Sequence, residues 1–240
     1  IAASLGSLTP EDMELGVAVF DMGRSTTGLS VYRDKCIVGS HSFEMGGYHI
    51  TRDIAAGLHI SFEEADELVL EYGIPEGLIE AEYEDGNDSG HAATNDADPP
   101  RIKLKTVVPG APAIVDRTEY DFIIFERAKE LISRIRQYVN SRGLSKNLVR
   151  GIVLTGGASK ITHYDTLTEA MFQVPCRVGA PSAANSLPHT INGPEYAAAI
   201  GIVRHAFQYR RALHNGHLQV LGGPSSGFRR MLRSIRRYFL

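Results

Sequence analysis

The sequence predicts an α/β fold: a strand meander followed by helices, interrupted by a small α+β insertion and trailed by a linker and an amphipathic helix. Three observations carry that prediction. Val17–Phe20 is a short apolar run, β-branched or aromatic at three of its four positions, that ends in Asp21 and a small-residue turn. Ile152–Leu154 is a second such run, about 130 residues later, ending in Thr155-Gly156-Gly157-Ala158-Ser159. Between them, Arg117–Arg142 carries Tyr120, Ile124, Ala128, Leu131, Ile135 and Val139 along one helical stripe.

Ile1–Leu5 begins without a methionine and reads as the middle of a helix, so the chain is expected to be a fragment lacking an N-terminal part. Thr9-Pro10-Glu11-Asp12 reads as a turn with an exposed acidic face. Residues 16–22, 28–33 and 36–44 read as three consecutive strands, with Arg33-Asp34-Lys35 as the tight turn between the second and third. Such a meander opens an RNase H-like α/β unit. Gly46-Gly47 breaks the third strand, and Ile50, Ile54 and Leu58 then give a helix one apolar face. Ser61 and Glu64 have capping-box spacing at the start of an acidic helix that runs to Tyr72 and stops at Gly73.

Residues 82–100 hold almost no large apolar side chain and read as a mobile loop or hairpin tip. Ile102–Val107 alternates at period two, as a half-exposed strand does. Residues 74–115 are therefore expected to be a subdomain inserted between 1–73 and 116–213. Asp116 can cap the long helix, and Arg134, Arg136 and Arg142 suit the negative end of its dipole. A helix near Thr166–Phe172, a strand at Cys176–Val178 and an alanine-rich helix over Pro194–Arg210 complete the body.

A buried strand that ends in a carboxylate and a small-residue turn brings N–H groups and an acid up to a phosphate and its metal. Two such turns suggest two walls of one nucleotide cleft. Composition is that of an ordinary globular protein, at 43% hydrophobic and 22% charged residues. Cys36 and Cys176 lack metal or redox spacing, sit in apolar runs and read as reduced core thiols of a cytosolic chain.

Charge is strongly polarised. Residues 61–98 hold thirteen Asp or Glu and no Lys or Arg, whereas Phe228–Leu240 holds five arginines and no acid. A basic tail on an acidic body argues against general nucleic-acid binding, which wants a basic face on the body. In the tail, Phe228, Met231, Leu232, Ile235 and Phe239 follow one helical stripe, and Arg229, Arg230, Arg233, Arg236 and Arg237 fill the other side. Residues 214–227, with four glycines and Pro224, form its leash; His214 and His217 there lack carboxylate or thiol partners and read as incidental. A basic amphipathic helix on a flexible tether suits the plane of an anionic membrane. Each arginine near such a surface contributes about 1 kcal/mol, giving reversible binding that an array of linked helices would strengthen.

Several runs together resemble the FtsA family, actin-like bacterial division proteins that tether FtsZ filaments to the inner membrane. They are Gly16–Phe20 with Asp21, Gly23, Thr26 and Thr27; Gly46-Gly47 with Ile50, Thr51, Asp53, Ile54 and Ala55; Gly151–Ala158; Arg177–Pro181; and Tyr196 with Ala199, Ile200 and Gly201. The likeness covers the second half of the family's sequence. It implies an actin-like ATPase fold binding ATP with Mg2+, at the cytoplasmic face of the inner membrane at the division site, in a protein that self-associates. Asp21, Gly23 and Thr26 match the second phosphate loop, with Arg24 and Ser25 inside it and Asp21 facing the metal. Thr155, Gly156 and Gly157 match the adenosine loop. The inserted subdomain and the start of the long helix match the part that receives the acidic, apolar FtsZ C-terminal peptide, which points to Arg101 and Arg117. Contacts with other division proteins fall to the half that this chain lacks.

The chain departs from the family where phosphates would lie. The family usually has Gly or Ala, then Gly, at Arg24-Ser25, so a long side chain either crowds the phosphates or lays a guanidinium on them. Val69 stands in place of a lysine facing the adenosine, and Gly28 in place of a frequent aspartate. These changes predict weakened nucleotide binding and little hydrolysis. Two other readings remain open: a related actin-like adaptor of the pilus-assembly type, and a sugar-kinase-like phosphotransferase, whose catalytic aspartate and substrate loops are not discernible.

Overall fold

The computed structural model describes residues 1–83, 100–105, 112–181 and 191–214. Ile1–Ile202 form one compact unit, and Val203–Leu240 a second whose described part is helical. The meander is β1 (Val17–Met22), β2 (Thr27–Arg33) and β3 (Cys36–Phe43), all antiparallel. Asp34 and Lys35 take φ of 52° and 62°, as a two-residue turn of the hairpin hand requires. β6 (Ile152–Thr155) and β7 (Cys176–Val178) continue the sheet in parallel on the other side of β1, giving the order β3-β2-β1-β6-β7.

Period-two alternation sorts the sheet's side chains onto two faces. Ala18, Phe20 and Met22 of β1, with Ile152 and Leu154 of β6, enter the larger core under α3 (Gly47–Gly57), α4 (Phe62–Tyr72), α6 (Arg117–Ser141) and α7 (Tyr164–Phe172). Val17, Val19 and Val153 face the other way, with Leu8 and Met13 from the segments of α1 (Ala2–Ser7) and α2 (Pro10–Leu15). The whole stripe expected on α6 is buried, from Tyr120 to Val139. The Tyr120 hydroxyl lies 3.1 Å from the Leu68 carbonyl and 3.2 Å from that of Gly73, tying the end of α4 to α6. α8 (Ala197–His214) begins against α1. A Cβ on Gly201 would lie 1.8 Å from the Ala2 carbonyl oxygen, and one on Gly6 2.0 Å from that of Ala197, so only glycines allow this crossing.

Several expectations need correction. Asp12 is buried, not on an exposed acidic face. Thr9 and Asp12 form a capping box on α2, and the Asp12 carboxylate also accepts from Arg177 at 2.9 Å and Arg150 at 3.4 Å. Ser61 caps the Glu64 N–H, but the Glu64 carboxylate reaches across to the Lys105 N–H at 2.7 Å. The arginines near the end of α6 are used sideways: Arg134 on Glu130, and Arg136 on the Met171 carbonyl. Cys36 is exposed on the edge strand, so it is no core thiol; Cys176 is half-buried.

Beyond the acidic helix lie two further elements, α5 (Glu76–Tyr83) and β5 (Ile114–Asp116). The strand expected over 102–107 is three residues, β4 (Arg101–Lys103), paired with β5. α8 runs four residues past the expected Arg210. Most of the expected loop at 82–100, residues 106–107, the linker beyond His214 and the amphipathic segment 228–240 lie outside the described residues. Among the described residues no helix is long and apolar enough to cross a membrane.

Burial alone would raise the Asp12 carboxyl, but the Thr9 N–H, Arg177 and Arg150 outweigh it and hold its pKa below the usual aspartate value. A carboxylate lowered in the folded state stabilises the fold above its unfolded pKa, about 4, and loses that contribution as pH falls through the folded value. In urea unfolding across a pH series, Asp12→Asn should cost about 1–3 kcal/mol at pH 7. It should also flatten the loss of stability below about pH 4 that the native chain shows.

Candidate nucleotide site

The parallel pairing of β1 with β6 sets Asp21 beside Thr155, so both strands release their turns at the same edge of the sheet. That edge, beyond the carboxyl ends of parallel strands, is where open α/β sheets hold ligands. After β1, the Gly23 N–H closes the first turn on the Thr26 carbonyl at 2.9 Å. The carbonyls of Gly23 and Arg24 accept from the Gly47 and Tyr48 N–H groups at 3.0 and 2.7 Å, docking the turn on the start of α3. A Cβ on Gly46 would sit 2.5 Å from the Gly23 oxygen, which explains that glycine, and one on Gly47 would come within 3.1 Å of the Ala158 Cβ.

The second turn is held from outside. The Thr155 hydroxyl and the Gly156 N–H both donate to the Pro194 carbonyl, at 3.0 and 3.1 Å. This clamp brings Glu195 to within 3.4 Å of Lys160. Gly156 has φ +84°, and a Cβ there would lie 2.5 Å from the Met22 carbonyl and 2.9 Å from an Asp21 carboxylate oxygen. The two turns thus meet at Asp21, whose carboxyl pKa burial pushes up.

Between the turns is a cleft of about 280 Å³. Gly23, Arg24, Gly47, Tyr48, Thr51, Asp66, Val69 and Leu70 line one side, and Gly157, Ala158, Lys160, Ile161 and Glu195 the other. Of the residues expected from sequence, Gly23, Arg24, Val69 and Gly157 line it. Ser25 and Thr26 are exposed on the first turn, while Thr155 and Gly156 are buried behind the second. Asp21 lies at the junction of the turns, outside the lining.

Tyr48, Asp66, Leu70, Lys160 and Glu195 were not singled out from sequence. Asp66, Val69 and Leu70 have the i, i+3, i+4 spacing of one helix face, a signal open to reading once Val69 is placed. The Thr51 hydroxyl is 3.0 Å from an Asp66 carboxylate oxygen, joining α3 to α4 beside the cleft. Lys160 and Glu195 carry no comparable signal.

The arrangement suits a nucleotide: glycine main chain on both walls, an apolar patch at Val69 and Leu70, and cations at Arg24 and Lys160. Among the described residues, no three metal-binding side chains gather. Asp21 would therefore hold Mg2+ only with oxygens from the phosphates, which is how Mg2+ is usually held.

Elsewhere, β4 pairs Arg101 with Asp116, setting Arg101 beside Arg117 at the start of α6. Arg117 bonds Asp121 at 2.7 Å and lies over Tyr72 at 4.5 Å. Arg101 and Lys103 flank buried Ile102 on the exposed side of this strand, and Lys105, two residues beyond it, is paired with Glu67 and Glu71.

The two neighbouring glycines of the second turn should differ sharply. Gly156→Ala meets main chain at a positive φ and should cost about 1–3 kcal/mol, read by urea unfolding. Gly157→Ala has open space around its Cβ and should stay within about 0.5 kcal/mol of the native chain.

Comparison with known proteins fits this geometry. Residues 18–201 match the family model "Cell division protein FtsA". The chain is 31% identical over 243 residues to FtsA of Rhizobium meliloti, covering 99% of this chain and 51% of that protein. Against FtsA of Escherichia coli it is 27% identical over 236 residues, covering 98% and 51%. The chain thus spans about half the length of these curated relatives. MreB5 of Spiroplasma citri bound to AMPPNP superposes with a TM-score of 0.62 at 18% identity, over 90% of this chain and 60% of that one. The PilM–PilN type IV pilus biogenesis complex does so at 0.57 and 17%, over 85% and 50%. The fold is therefore actin-like, and the chain belongs to the FtsA family of cell division proteins.

Proposed function

We propose that this chain supplies part of a tether that holds FtsZ filaments at the cytoplasmic membrane of a dividing cell. The observation that carries the reading is the sequence of residues 228–240, whose apolar residues and arginines recur at helical spacing behind a glycine-rich stretch, on a body of the FtsA family. Its apolar stripe enters the lipid interface and its five arginines meet anionic headgroups. The sequence insertion over residues 74–115 receives the acidic, apolar FtsZ tail peptide. The exposed basic side of β4, together with Arg117, supplies the complementary charge on an otherwise acidic region.

Nucleotide, ATP with Mg2+, occupies the cleft and biases self-association rather than supporting turnover. Support comes from the cleft's glycine walls and from MreB5 of Spiroplasma citri, an actin-like protein solved with AMPPNP and with ADP. Asp21 would hold the metal, and Gly157, with open space around its Cβ position, would let main chain approach the adenosine. Other division partners are met through the part of the relatives that this chain does not span.

The tether is tested on anionic vesicles with the full-length protein. Phe228→Glu with Ile235→Glu should lower vesicle binding by at least tenfold, and binding equal to the native protein would reject the membrane role. In a pull-down with an acidic FtsZ tail peptide, Arg117→Ala should cut retention about tenfold, in line with loss of one charge-assisted contact.

A further inference from the structure

Arg24 is a long side chain in the first turn, where the family resemblance leads one to expect a small residue, and the structure shows how it is held. Its carbonyl accepts from the Tyr48 N–H at 2.7 Å, so the main chain is pinned to the start of α3. Its guanidinium carbon lies 5.5 Å from the Tyr48 ring centre and 5.2 Å from that of Phe62. Those two rings stack on one another, 5.1 Å apart and 26° from parallel. A guanidinium held against aromatic faces keeps its N–H groups free for an anion, because the rings attract the charge without taking the donors.

The surroundings say which anion. Arg24 lines the cleft beside Gly23 and Gly47, on the wall built by the first turn. The other cation of the cleft, Lys160, is paired with Glu195 on the opposite wall. Asp66, the acid on Arg24's own wall, is bonded to Thr51. An exposed guanidinium held beside a stacked ring pair, next to a turn at a strand end, has the chemistry to meet a polyphosphate.

We propose that Arg24 is the phosphate-reading residue of this cleft: held on Tyr48 and Phe62, its guanidinium binds the phosphates of a nucleoside polyphosphate and supplies part of the neutralisation otherwise left to Mg2+. The inference rests on the nucleotide reading above and adds to it a preference for polyphosphate over nucleoside. It also turns the Arg24-Ser25 departure from a defect into a device. Tyr48 and Phe62 act as positioning residues, since they hold the guanidinium rather than the ligand.

The test is calorimetric titration of the full-length protein with ATP, ADP, AMP and adenosine, each with Mg2+ and with a chelator. In the chelator, Arg24→Gly should weaken ATP about 10- to 100-fold, the range for loss of a charged hydrogen-bonded contact, and leave adenosine within about twofold. Arg24→Lys, which keeps charge but not the planar fork, should recover part of the loss. Phe62→Leu should shift ATP in the same direction as Arg24→Gly. An Arg24→Gly protein that binds ATP as tightly as the native one, or more tightly, overturns the proposal while the nucleotide reading stands. Equal losses for ATP and adenosine overturn it in favour of a purely structural Arg24. Failure of the native protein to bind any of the four ligands overturns both readings.

Discussion

The parallel pairing of β1 with β6 is the constraint on which everything else depends. It joins segments about 130 residues apart, and its register sets Asp21 opposite Thr155. A parallel pair needs a long crossover, and here α3, α4 and α6 lie within that crossover and cover the same face of the sheet. A slip of β6 by one residue against β1 would turn Leu154 out of the larger core and Val153 into it. It would also separate the two glycine turns, so core packing and cleft geometry are fixed by one choice of register.

Much of this fold was legible because its signals are local. β1, β2 and β3 are short apolar or alternating runs with a polar two-residue turn, and the α6 stripe repeats for the whole length of the helix. What escaped sequence reading depends on partners far along the chain. Asp12 looks like an exposed acid until Arg150 and Arg177, 138 and 165 residues away, close over it. α5 has a single buried residue, Ile79, within an acidic stretch, and β5 is three residues long, so neither offers a period to read. Cys36 sits in an apolar run, but on an edge strand whose register slips near Val31 and Tyr32, and its side chain stays outside.

The site divides along the same line. The two turns were visible as glycines behind strands, since a close approach of main chain leaves a mark in composition. The clamp of Pro194 on Thr155 and Gly156, and the arrival of Lys160 and Glu195 at the rim, depend on a segment some forty residues downstream of the turn. The fate of Arg24 could not be read either. Sequence left it crowding the phosphates or covering them, and the guanidinium's place beside Tyr48 and Phe62 rests on residues 24 and 38 positions along the chain. The family relationship is secure from residues 18–201, while the proposed membrane attachment rests on the tail's sequence, where charge and periodicity coincide.

A cleft at the carboxyl ends of β1 and β6, built from two turns that meet at Asp21, unites fold and function here. Amide hydrogen exchange of the full-length protein with and without ATP and Mg2+ measures it directly. Slowed exchange concentrated at residues 23–26, 47–48 and 156–160, with the β2–β3 hairpin unchanged, is the result expected. Unchanged exchange in those three segments at saturating ATP, or protection confined to other parts of the chain, would contradict a nucleotide site between the turns.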